Sequence, residues 1–429
     1  MSSAPLPAAV EVVVVGGGIV GVSTAWFLAR RGVPVLLLEK GRIAGEQSSR
    51  NWGWIRCQGR DPAELALMCE SSRLWEEIAD EVDADIGFRR GGVTALAESD
   101  ADLARFKAWL GHARAHQLDT RLLSRAETDR LIGENRIEHK GALHTPSDAS
   151  AEPALAVPAM ARRLAASGVA LREGCAVRTI ERAGGRVAGV ATEAGFVRCN
   201  TVVVCAGVWS RLLLRQLGVA LPQLGVVASV QRTTAAPAIT ASAVGRPAVS
   251  LRRRADGGYT LARTNAATHE LLPASLRWAR AYAPVLERRW RMMKWRLGRP
   301  FVEALTAGRL DAARPGPFER TRVLDPAPDH ALLDDVLAAA KHAWPQLEGV
   351  APAARWAGVI DVLPDELPAL GAVPGRPGLI LATGFSGHGF GIGPAAGRAA
   401  AELAATGAAP STLAPLSPAR FIAAPAGGG

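Results

Sequence analysis

Short unbroken apolar runs alternate with amphipathic stretches near the N-terminus, and this pattern predicts a strand, a helix and a second strand. Residues 12–15 are four valines in succession, the composition of a strand buried on both faces of a sheet. A helical stretch follows a glycine-rich turn, and a second apolar run over 33–38 ends at Glu39. This order predicts a parallel β-α-β unit.

Two later segments resemble this first one. Residues 201–207 form a buried strand that runs into a small-residue turn, and residues 379–394 combine an apolar run with a glycine-rich block. An alanine-rich helix is predicted over 395–405. We therefore expect three separated stretches of the chain to supply strands to one sheet.

The intervening segments have a different pattern, typical of antiparallel strands and surface helices. Residues 91–97 and 226–233 alternate in strand fashion, and hairpins are predicted over 186–197 and around 257–261. We interpret the chain as an α/β protein: a discontinuous Rossmann-like nucleotide-binding domain with an inserted, mainly antiparallel β (α+β) domain. The predicted boundaries are 8–88, 150–222 and 348–410 for the first domain, 89–149 and 223–347 for the second, and 423–429 for a disordered tail.

The glycine turn after the first strand has the spacing Gly-x-Gly-x-x-Gly. Gly16 allows the tight turn, Gly18 lets the backbone approach a pyrophosphate, and Gly21 lets the helix pack on the strand. The helix N-terminus then offers free amides and a positive dipole end to phosphates. Glu39 is placed to accept hydrogen bonds from ribose hydroxyls. Together these features predict a dinucleotide, FAD or NAD.

Composition narrows the class of protein. Hydrophobic residues make up 48% of the 429 residues, as expected of a packed globular protein, and no apolar run has transmembrane length. The five cysteines are scattered without metal-binding spacing, and the first residues lack the pattern of a signal peptide. We expect a cytoplasmic protein with reduced thiols and no metal site.

The formal net charge is +10, and much of it lies in one segment. Residues 277–299 contain eight Lys and Arg residues against the single acid Glu287, interleaved with Trp278, Trp290 and Trp295. One interpretation is a helix that contacts an anionic membrane surface. The favoured alternative is a solvated helix pair, interrupted at Pro284, with its tryptophans facing inward. No nucleic-acid-binding motif accompanies the charge, so we expect no nucleic-acid partner.

Four sequence blocks occur in an order that resembles the D-amino-acid oxidase superfamily of flavoproteins, which includes sarcosine oxidase, glycine oxidase and D-amino-acid dehydrogenases. They are the strand-turn-helix unit ending at Glu39, residues 45–53, residues 204–210, and the Gly-Phe-Ser-Gly-His-Gly-Phe sequence of residues 384–390. The resemblance spans nearly the whole chain and implies FAD as the cofactor. The residues that it and the glycine turn assign to FAD are Gly16, Gly18, Ile19, Val20, Gly21, Glu39, Lys40, Ser48, Ser49, Arg50, Asn51, Val177, Ala206, Gly207, Gly384, Ser386, Gly387, His388, Gly389, Gly391 and Ile392.

The resemblance implies oxidation of a C–H bond beside an amine nitrogen by hydride transfer to flavin N5, which gives an imine that water hydrolyses. Two familiar carboxylate-binding cations are absent, since Ile360 and Gly391 stand where the family has Arg or Lys. Arg56 is the remaining candidate for that role, unless it forms a structural ion pair. Asp361 would favour a cationic amine, unless it is only a strand-end acid.

The other candidates are weaker. His388 is placed to hydrogen-bond flavin O2 or to support a residue that does, and Tyr259 is a candidate for a substrate lid. No cysteine follows Cys205, which excludes the cysteine linkage of sarcosine oxidase and predicts non-covalent FAD.

The predicted function is an FAD-dependent oxidoreductase of amino acids or secondary amines, such as D-amino acids or N-methyl or cyclic amino acids. Either oxygen or an electron carrier would accept the electrons. Two alternatives stay open: an oxidase of carboxylate-free or cationic amines, and a flavoprotein dehydrogenase subunit that needs an electron-transfer partner.

Overall fold

A computed structural model describes residues 5–290, 293–306 and 310–423. Residues 424–429 of the predicted tail lie outside the described residues. The strands, in chain order, are β1 (Val12–Val15), β2 (Val35–Leu38), β3 (Trp54–Ile55), β4 (Val93–Leu96), β5 (Arg121–Leu123), β6 (Ala142–Thr145), β7 (Ala149–Ser150), β8 (Ala170–Arg172), β9 (Val177–Ala183), β10 (Arg186–Thr192), β11 (Gly195–Arg198), β12 (Thr201–Val204), β13 (Leu224–Thr233), β14 (Ala243–Gly245), β15 (Ser250–Arg253), β16 (Tyr259–Ala262), β17 (Ala267–Glu270), β18 (Met293–Arg296), β19 (Pro352–Val362), β20 (Ala369–Ala372) and β21 (Leu379–Thr383).

Helices connect and cover these strands. They are α1 (Ile19–Arg30), α2 (Gln47–Arg50), α3 (Pro62–Glu81), α4 (Asp100–Ala115), α5 (Arg125–Ile132), α6 (Pro153–Ala166), α7 (Ser210–Arg215), α8 (Pro273–Arg289), α9 (Arg299–Thr306), α10 (Pro317–Arg320), α11 (His330–Ala343) and α12 (Gly389–Thr406).

The three separated stretches meet in one sheet, as the sequence predicts. Its order is β20-β21-β12-β1-β2-β8, parallel except at the antiparallel edge strand β20. The aliphatic side chains of β1, β2 and β12 are buried because helices cover one face and the three-stranded β9–β11 sheet lies on the other. This confirms the predicted Rossmann-like fold.

Helix α12 begins earlier than the alanine-rich pattern indicates, since its first turn is formed by the glycine block itself. It packs closely on α1: a Cβ at Gly393 would meet the side chain of Ile19, and one at Gly397 would meet the backbone of Ser23 and Thr24. The small residues are therefore what bring the two helices together beside the end of β1.

A ten-stranded sheet forms the second part of the molecule. Its order is β18-β17-β13-β16-β15-β14-β4-β6-β5, with β19 also paired to β13, and all pairs are antiparallel except β4 with β14 and β17 with β18. β19 was predicted to belong to the nucleotide-binding domain over 348–410. That assignment is wrong for β19, because its long antiparallel pairing with β13 places it in the larger sheet.

The basic segment differs from the favoured prediction. α8 runs unbroken through Pro284, and it is followed by a strand, β18, before α9. Trp290 and Trp295 are exposed, whereas Trp278 is half-buried. The predicted interruption at Pro284 is therefore wrong, and so is the inward-facing position predicted for Trp290 and Trp295. Among the described residues, no helix has both the length and the apolar character needed to cross a membrane.

Candidate active site

A cleft opens where β1, β2 and β12 end, and its first wall is the glycine turn. Gly16 adopts φ +112°, and a Cβ there would overlap with the carbonyl oxygen of Cys205 on the neighbouring strand. A Cβ at Gly21 would overlap with the carbonyl oxygen of Gly16. These glycines set the narrow spacing that lets the N-terminus of α1 face the cleft.

Glu39 follows β2 and is bonded to backbone on both sides. Its Oε2 accepts a hydrogen bond from the Gly17 amide and its Oε1 accepts one from the Gly41 amide, each at 2.7 Å. Burial raises the pKa of Glu39, and the two amide bonds oppose that effect. The carboxylate thus fixes the turn and lines the cleft together with Val177.

Lys40 lines the same wall, but its ammonium group points to protein acceptors. Nζ donates to Oε1 of Glu46 at 2.9 Å and to the carbonyl oxygens of Thr321 and Arg322 at 2.9 and 2.8 Å. Lys40 therefore attaches the loop around residue 321 to the rim of the cleft.

The short helix α2 contributes to both the cleft and the scaffold. Ser48 and Asn51 line the cleft, and the Oγ of Ser48 accepts a hydrogen bond from the Ile19 amide at 2.9 Å. Ser49 and Arg50 do not line it. Arg50 is buried and donates to the Ala357 and Gly45 carbonyls, so it ties α2 to β19.

Asp361 lies at the far end of the cleft, where β19 meets the loop after β21. Its Oδ2 accepts from the Gly384 amide at 2.6 Å, from Nε2 of Gln223 at 3.0 Å and from Oγ1 of Thr383 at 3.2 Å. Burial raises the pKa of Asp361 against these donors. The carboxylate holds the β21 loop in place as well as lining the cleft beside Ile360.

The glycine-rich loop before α12 is only partly exposed to the cleft. Gly387 and Gly389 line it, together with Phe385 and Phe390. The other residues predicted for this loop lie outside the lining: Gly384, Ser386, His388, Gly391 and Ile392. Gly391 instead faces α3, where its carbonyl accepts from Oγ of Ser71 at 2.7 Å and from Nε1 of Trp75 at 3.0 Å.

A cluster of charged side chains lies behind Gly387 and Gly389, between the β3–α3 segment and the start of α12. Nδ1 of His388 is 2.9 Å from Oε1 of Glu64, which is completely buried. The angles at this contact do not give a hydrogen bond, and both carboxylate oxygens of Glu64 lack a donor among the described residues. Nη1 of the buried Arg60 likewise has no acceptor there.

The charge states in this cluster follow from its burial. Burial and the charge of Arg60 lower the pKa of His388 to about 4 and that of Arg56 to about 9. Burial alone would raise the pKa of Glu64, but His388 and the arginines outweigh it and lower that pKa. At neutral pH the cluster therefore holds two cations, one carboxylate and a neutral imidazole.

Asp148 is the second acid near these arginines. It accepts backbone hydrogen bonds from Cys57 at 2.7 Å and Gln58 at 3.2 Å, and burial raises its pKa to about 7. Asp148 is therefore only partly ionised at neutral pH, which leaves Arg56 and Arg60 incompletely neutralised.

Two predicted catalytic residues lie away from the cleft lining. Arg56 is half-buried and donates from Nη1 to the carbonyl of Gln58 on its own loop. Tyr259 is completely buried in the ten-stranded sheet, where its hydroxyl donates to the Pro237 carbonyl at 2.9 Å. The prediction of a lid at Tyr259 is wrong, because this side chain is a core residue.

Several residues of the site were not identified from the sequence. Arg42, Phe318 and Val323 line the cleft, and Arg60 and Glu64 form the ion cluster with His388. Phe318 of α10 and Val323 in the loop after it reach the cleft only through tertiary contacts, which no local pattern signals.

The comparisons with known proteins agree with this geometry. The family profile described as FAD dependent oxidoreductase matches residues 11–403. The chain belongs to this family. Family membership implies FAD, and the glycine turn, Glu39 and the long cleft towards Gly389 fit a dinucleotide.

Individual relatives are similar to this chain at moderate identity. Glycine oxidase of Pseudomonas putida is 27% identical over 93% of this chain and 95% of its own length. Human mitochondrial sarcosine dehydrogenase is 30% identical over 51% of this chain, and this chain spans only 25% of that protein. The solved structure of L-amino acid deaminase from Proteus myxofaciens, in complex with anthranilate, is 30% identical with a TM-score of 0.93, covering 98% of this chain and 95% of the other.

Proposed function

We propose that this protein uses non-covalent FAD to oxidise the C–N bond of an amino acid, giving an imine that water hydrolyses. The observation that carries the proposal is the ion cluster beside Gly387 and Gly389. Its two arginines are incompletely neutralised, and Arg60 retains a buried donor without an acceptor. A substrate carboxylate supplies the missing anion.

FAD, when bound, supplies the two-electron acceptor of the reaction. Glu39, the amides at the start of α1 and Ser48 would hold its adenosine and pyrophosphate parts. The N-terminus of α12, which begins at Gly389, would place a positive dipole end beside the isoalloxazine. Arg56 and Arg60 do not line the cleft, and in this proposal they would attract the substrate carboxylate to the end of the cleft at Gly387 and Gly389.

His388 would be a poor base in this arrangement. Its pKa, lowered to about 4, makes the neutral imidazole a weak proton acceptor at physiological pH, and Glu64 lies against Nδ1. Because the His388 imidazole is neutral, the arginines carry the positive charge of the cluster. A substrate carboxylate would bind to them.

The named relatives support a substrate with a carboxylate. The glycine oxidase, the sarcosine dehydrogenase and the L-amino acid deaminase all bear the names of amino acids in their activities. Identities of 27–30% favour the class of reaction without fixing the side chain or stereochemistry of the substrate.

Oxidation of a cationic or carboxylate-free amine is the second candidate, and one observation favours it. Ile360 and Asp361 both line the cleft, so an acid stands near the expected position of the flavin. Oδ2 of Asp361 is already held by three donors, however, which weakens its capacity to bind a second cation.

Matched donor pairs test the two candidates. Purified protein with FAD would be mixed anaerobically with amino acids and with the amines that differ from them only by loss of the carboxylate. We expect flavin absorbance to bleach with the amino acids and to persist with the amines. Bleaching by the amines alone would contradict the amino-acid proposal and favour the role of Asp361.

Oxygen uptake in the same samples separates the possible electron acceptors. Rapid reoxidation by oxygen with formation of hydrogen peroxide would identify an oxidase. Slow reoxidation would favour a dehydrogenase or a flavoprotein subunit that passes electrons to a carrier.

A further inference from the structure

A second cavity, of about 380 Å³, shares a wall with the cofactor cleft. Val208 and Trp209 line both spaces. The remaining lining comes from α7 and the segment that follows it, from the start of α8, from Ala304 of α9 and from Leu324 after α10. Ligand sites commonly have volumes of about 300–1,000 Å³, so this space, which we call the α7–α8 cavity, is large enough for a small molecule.

Apolar side chains form most of the lining of this cavity. The aliphatic members beyond Val208 are Leu212, Val219, Leu221, Leu272 and Leu324. The indole of Trp209 is fixed in place, since its Nε1 donates to Oε1 of Glu46 at 3.1 Å and Nζ of Lys40 lies 4.3 Å from the ring centroid. A wall of this kind would contact the aromatic or aliphatic body of a ligand.

The charged residues in the described lining of this cavity are all arginines: Arg211 and Arg215 of α7 and Arg277 of α8. Arg215 has an interaction partner of its own. The guanidinium groups of Arg211 and Arg277, in contrast, have neither a hydrogen-bond acceptor nor a carboxylate partner among the described residues. Two cations of this cavity are therefore available to an anion.

Arg211 is half-buried, and its backbone position is fixed. Its amide donates to Oε1 of Gln223 at 3.0 Å, and Nε2 of Gln223 donates to Asp361 at 3.0 Å. Burial, together with the charges of Arg215 and Arg277, lowers the pKa of Arg211. A negative charge in the cavity would compensate both effects, because an opposite charge favours the ionised guanidinium.

We propose that the α7–α8 cavity binds a small organic anion, with its carboxylate or phosphate at Arg211 and Arg277 and its apolar body against the aliphatic wall. Guanidinium groups bind carboxylate and phosphate with two parallel hydrogen bonds. An inorganic ion would leave the apolar wall without a contact, so the lining favours an anion that carries an aromatic or aliphatic group. This site is separate from the cofactor cleft, and the inference does not depend on the reaction proposed above.

Isothermal titration of the FAD-loaded protein tests the proposal with four probes. Phenylacetate and phenyl phosphate carry both an anionic group and an apolar body, benzyl alcohol lacks the charge, and inorganic phosphate lacks the body. We expect one or both aryl anions to bind at least about tenfold more tightly than the other two probes. The tighter of the two aryl anions identifies carboxylate or phosphate as the preferred group. Equal affinity for inorganic phosphate, or no binding of either aryl anion, would overturn the proposal.

Two variants test the position of the bound anion. R211Q removes one cation and should weaken binding of the aryl anion on the order of tenfold. A304W changes no charge but adds an indole at the half-buried Ala304 in the cavity lining, and it should also weaken binding. The control R89Q replaces an exposed arginine elsewhere and should bind as the wild type does. Thermal melting should confirm that each variant folds.

Binding of the aryl anion in the cofactor cleft would give the opposite pattern. The variant R56Q alters the ion cluster behind Gly387 and leaves the α7–α8 cavity intact, so it should keep the affinity that R211Q loses. Loss of binding in R56Q with wild-type affinity in R211Q and A304W would assign the anion to the cleft and overturn the proposal.

Discussion

The two ends of the cleft are held in different ways. Around Gly16 and Glu39 the structure depends on backbone: tight glycines, amide donors and one carboxylate that accepts two amide bonds. Behind Gly387 it depends on charged side chains: His388 contacts Glu64, Arg60 lies near enough to influence their pKa values, and all three are incompletely hydrogen-bonded. The first end is complete without a ligand, whereas the second still has charge and donors to satisfy. In the function proposed here, the first end would recognise the cofactor and the second end the substrate.

Replacing Gly21 should have the largest effect, because it acts on the backbone packing of the first end. In G21V the new side chain would overlap with the Gly16 carbonyl, and we expect the free energy of unfolding to fall by about 3 kcal/mol or more. Chemical denaturation measures this change.

The matched control is Gly111 in α4, where an added Cβ meets nothing within 4 Å. G111A should leave the protein as stable as the wild type or about 0.5–1 kcal/mol more stable. A folded, fully stable G21V protein would show that the turn is not as tight as described.

Removing a cation from the second end should affect substrate binding more than the fold. We expect R56Q to lower kcat/KM for amino acids on the order of a hundredfold, because a charge-assisted contact to a carboxylate contributes about 2–3 kcal/mol. Activity on carboxylate-free amines, if any, should change little. Steady-state kinetics of R56Q measure this change in kcat/KM. The control is R89Q, in which an exposed arginine is replaced.

Equal loss for carboxylated and carboxylate-free donors would assign Arg56 to a structural ion pair. Since Arg56 also donates to the Gln58 carbonyl, the melting temperature of R56Q must accompany the kinetics.

The pH dependence of stability should report the half-buried imidazole of His388 at the second end. The pKa of His388 is lowered from 6.5 to about 4, so between these values the unfolded chain binds a proton that the folded protein does not. Stability contributed by the neutral ring is therefore present above pH 6.5 and is lost as the pH falls towards 4. This loss should amount to on the order of 2 kcal/mol.

H388Q should lack this part of the acid sensitivity. Asp148 acts in the opposite direction over the same range, because its raised pKa makes the folded protein bind a proton first, but it is present in both proteins. The difference between the two unfolding curves reports His388 together with its effect on the pKa of Glu64. Parallel curves from pH 6.5 to 4 would contradict a lowered pKa of His388.

A conservative change at Glu39 should give the smallest effect. In E39Q one side-chain oxygen still accepts a hydrogen bond, but the side-chain NH₂ group faces the backbone N–H of either Gly17 or Gly41. Because two donors then face each other, we expect the Kd for FAD to rise about tenfold. Isothermal titration of the apoprotein measures the affinity, with E77Q, an exposed position on α3, as the control. An unchanged Kd would remove Glu39 from the cofactor site.

The sequence was most informative where structure depends on neighbouring residues. The β1–α1–β2 unit, the parallel sheet and the glycine roles follow from local spacing, since Gly16, Gly21 and Glu39 lie within one supersecondary unit. Arg60 and Glu64 were missed because the contact of Glu64 with His388, and the effect of the Arg60 charge on it, join positions more than 300 residues apart. Lys40 and Arg50 were assigned to the cofactor from their place in a motif, but their side chains reach partners near residues 321 and 357.

The strand β19 and the helix α8 were also mispredicted, because tertiary contacts rather than local sequence decide their structure. β19 precedes the last nucleotide-binding strands in sequence, yet its pairing with β13 decides which sheet it joins. Pro284 would end many helices, but its exposed position on α8 leaves the buried face, with Tyr282 and Val285, intact.

The visible absorption spectrum of the purified protein, before and after an amino acid is added without oxygen, tests the central claim most directly. We expect flavin bands that bleach on addition of the amino acid, and FAD that leaves the protein on acid precipitation. A protein that stays colourless after incubation with FAD would contradict the assignment of the cleft.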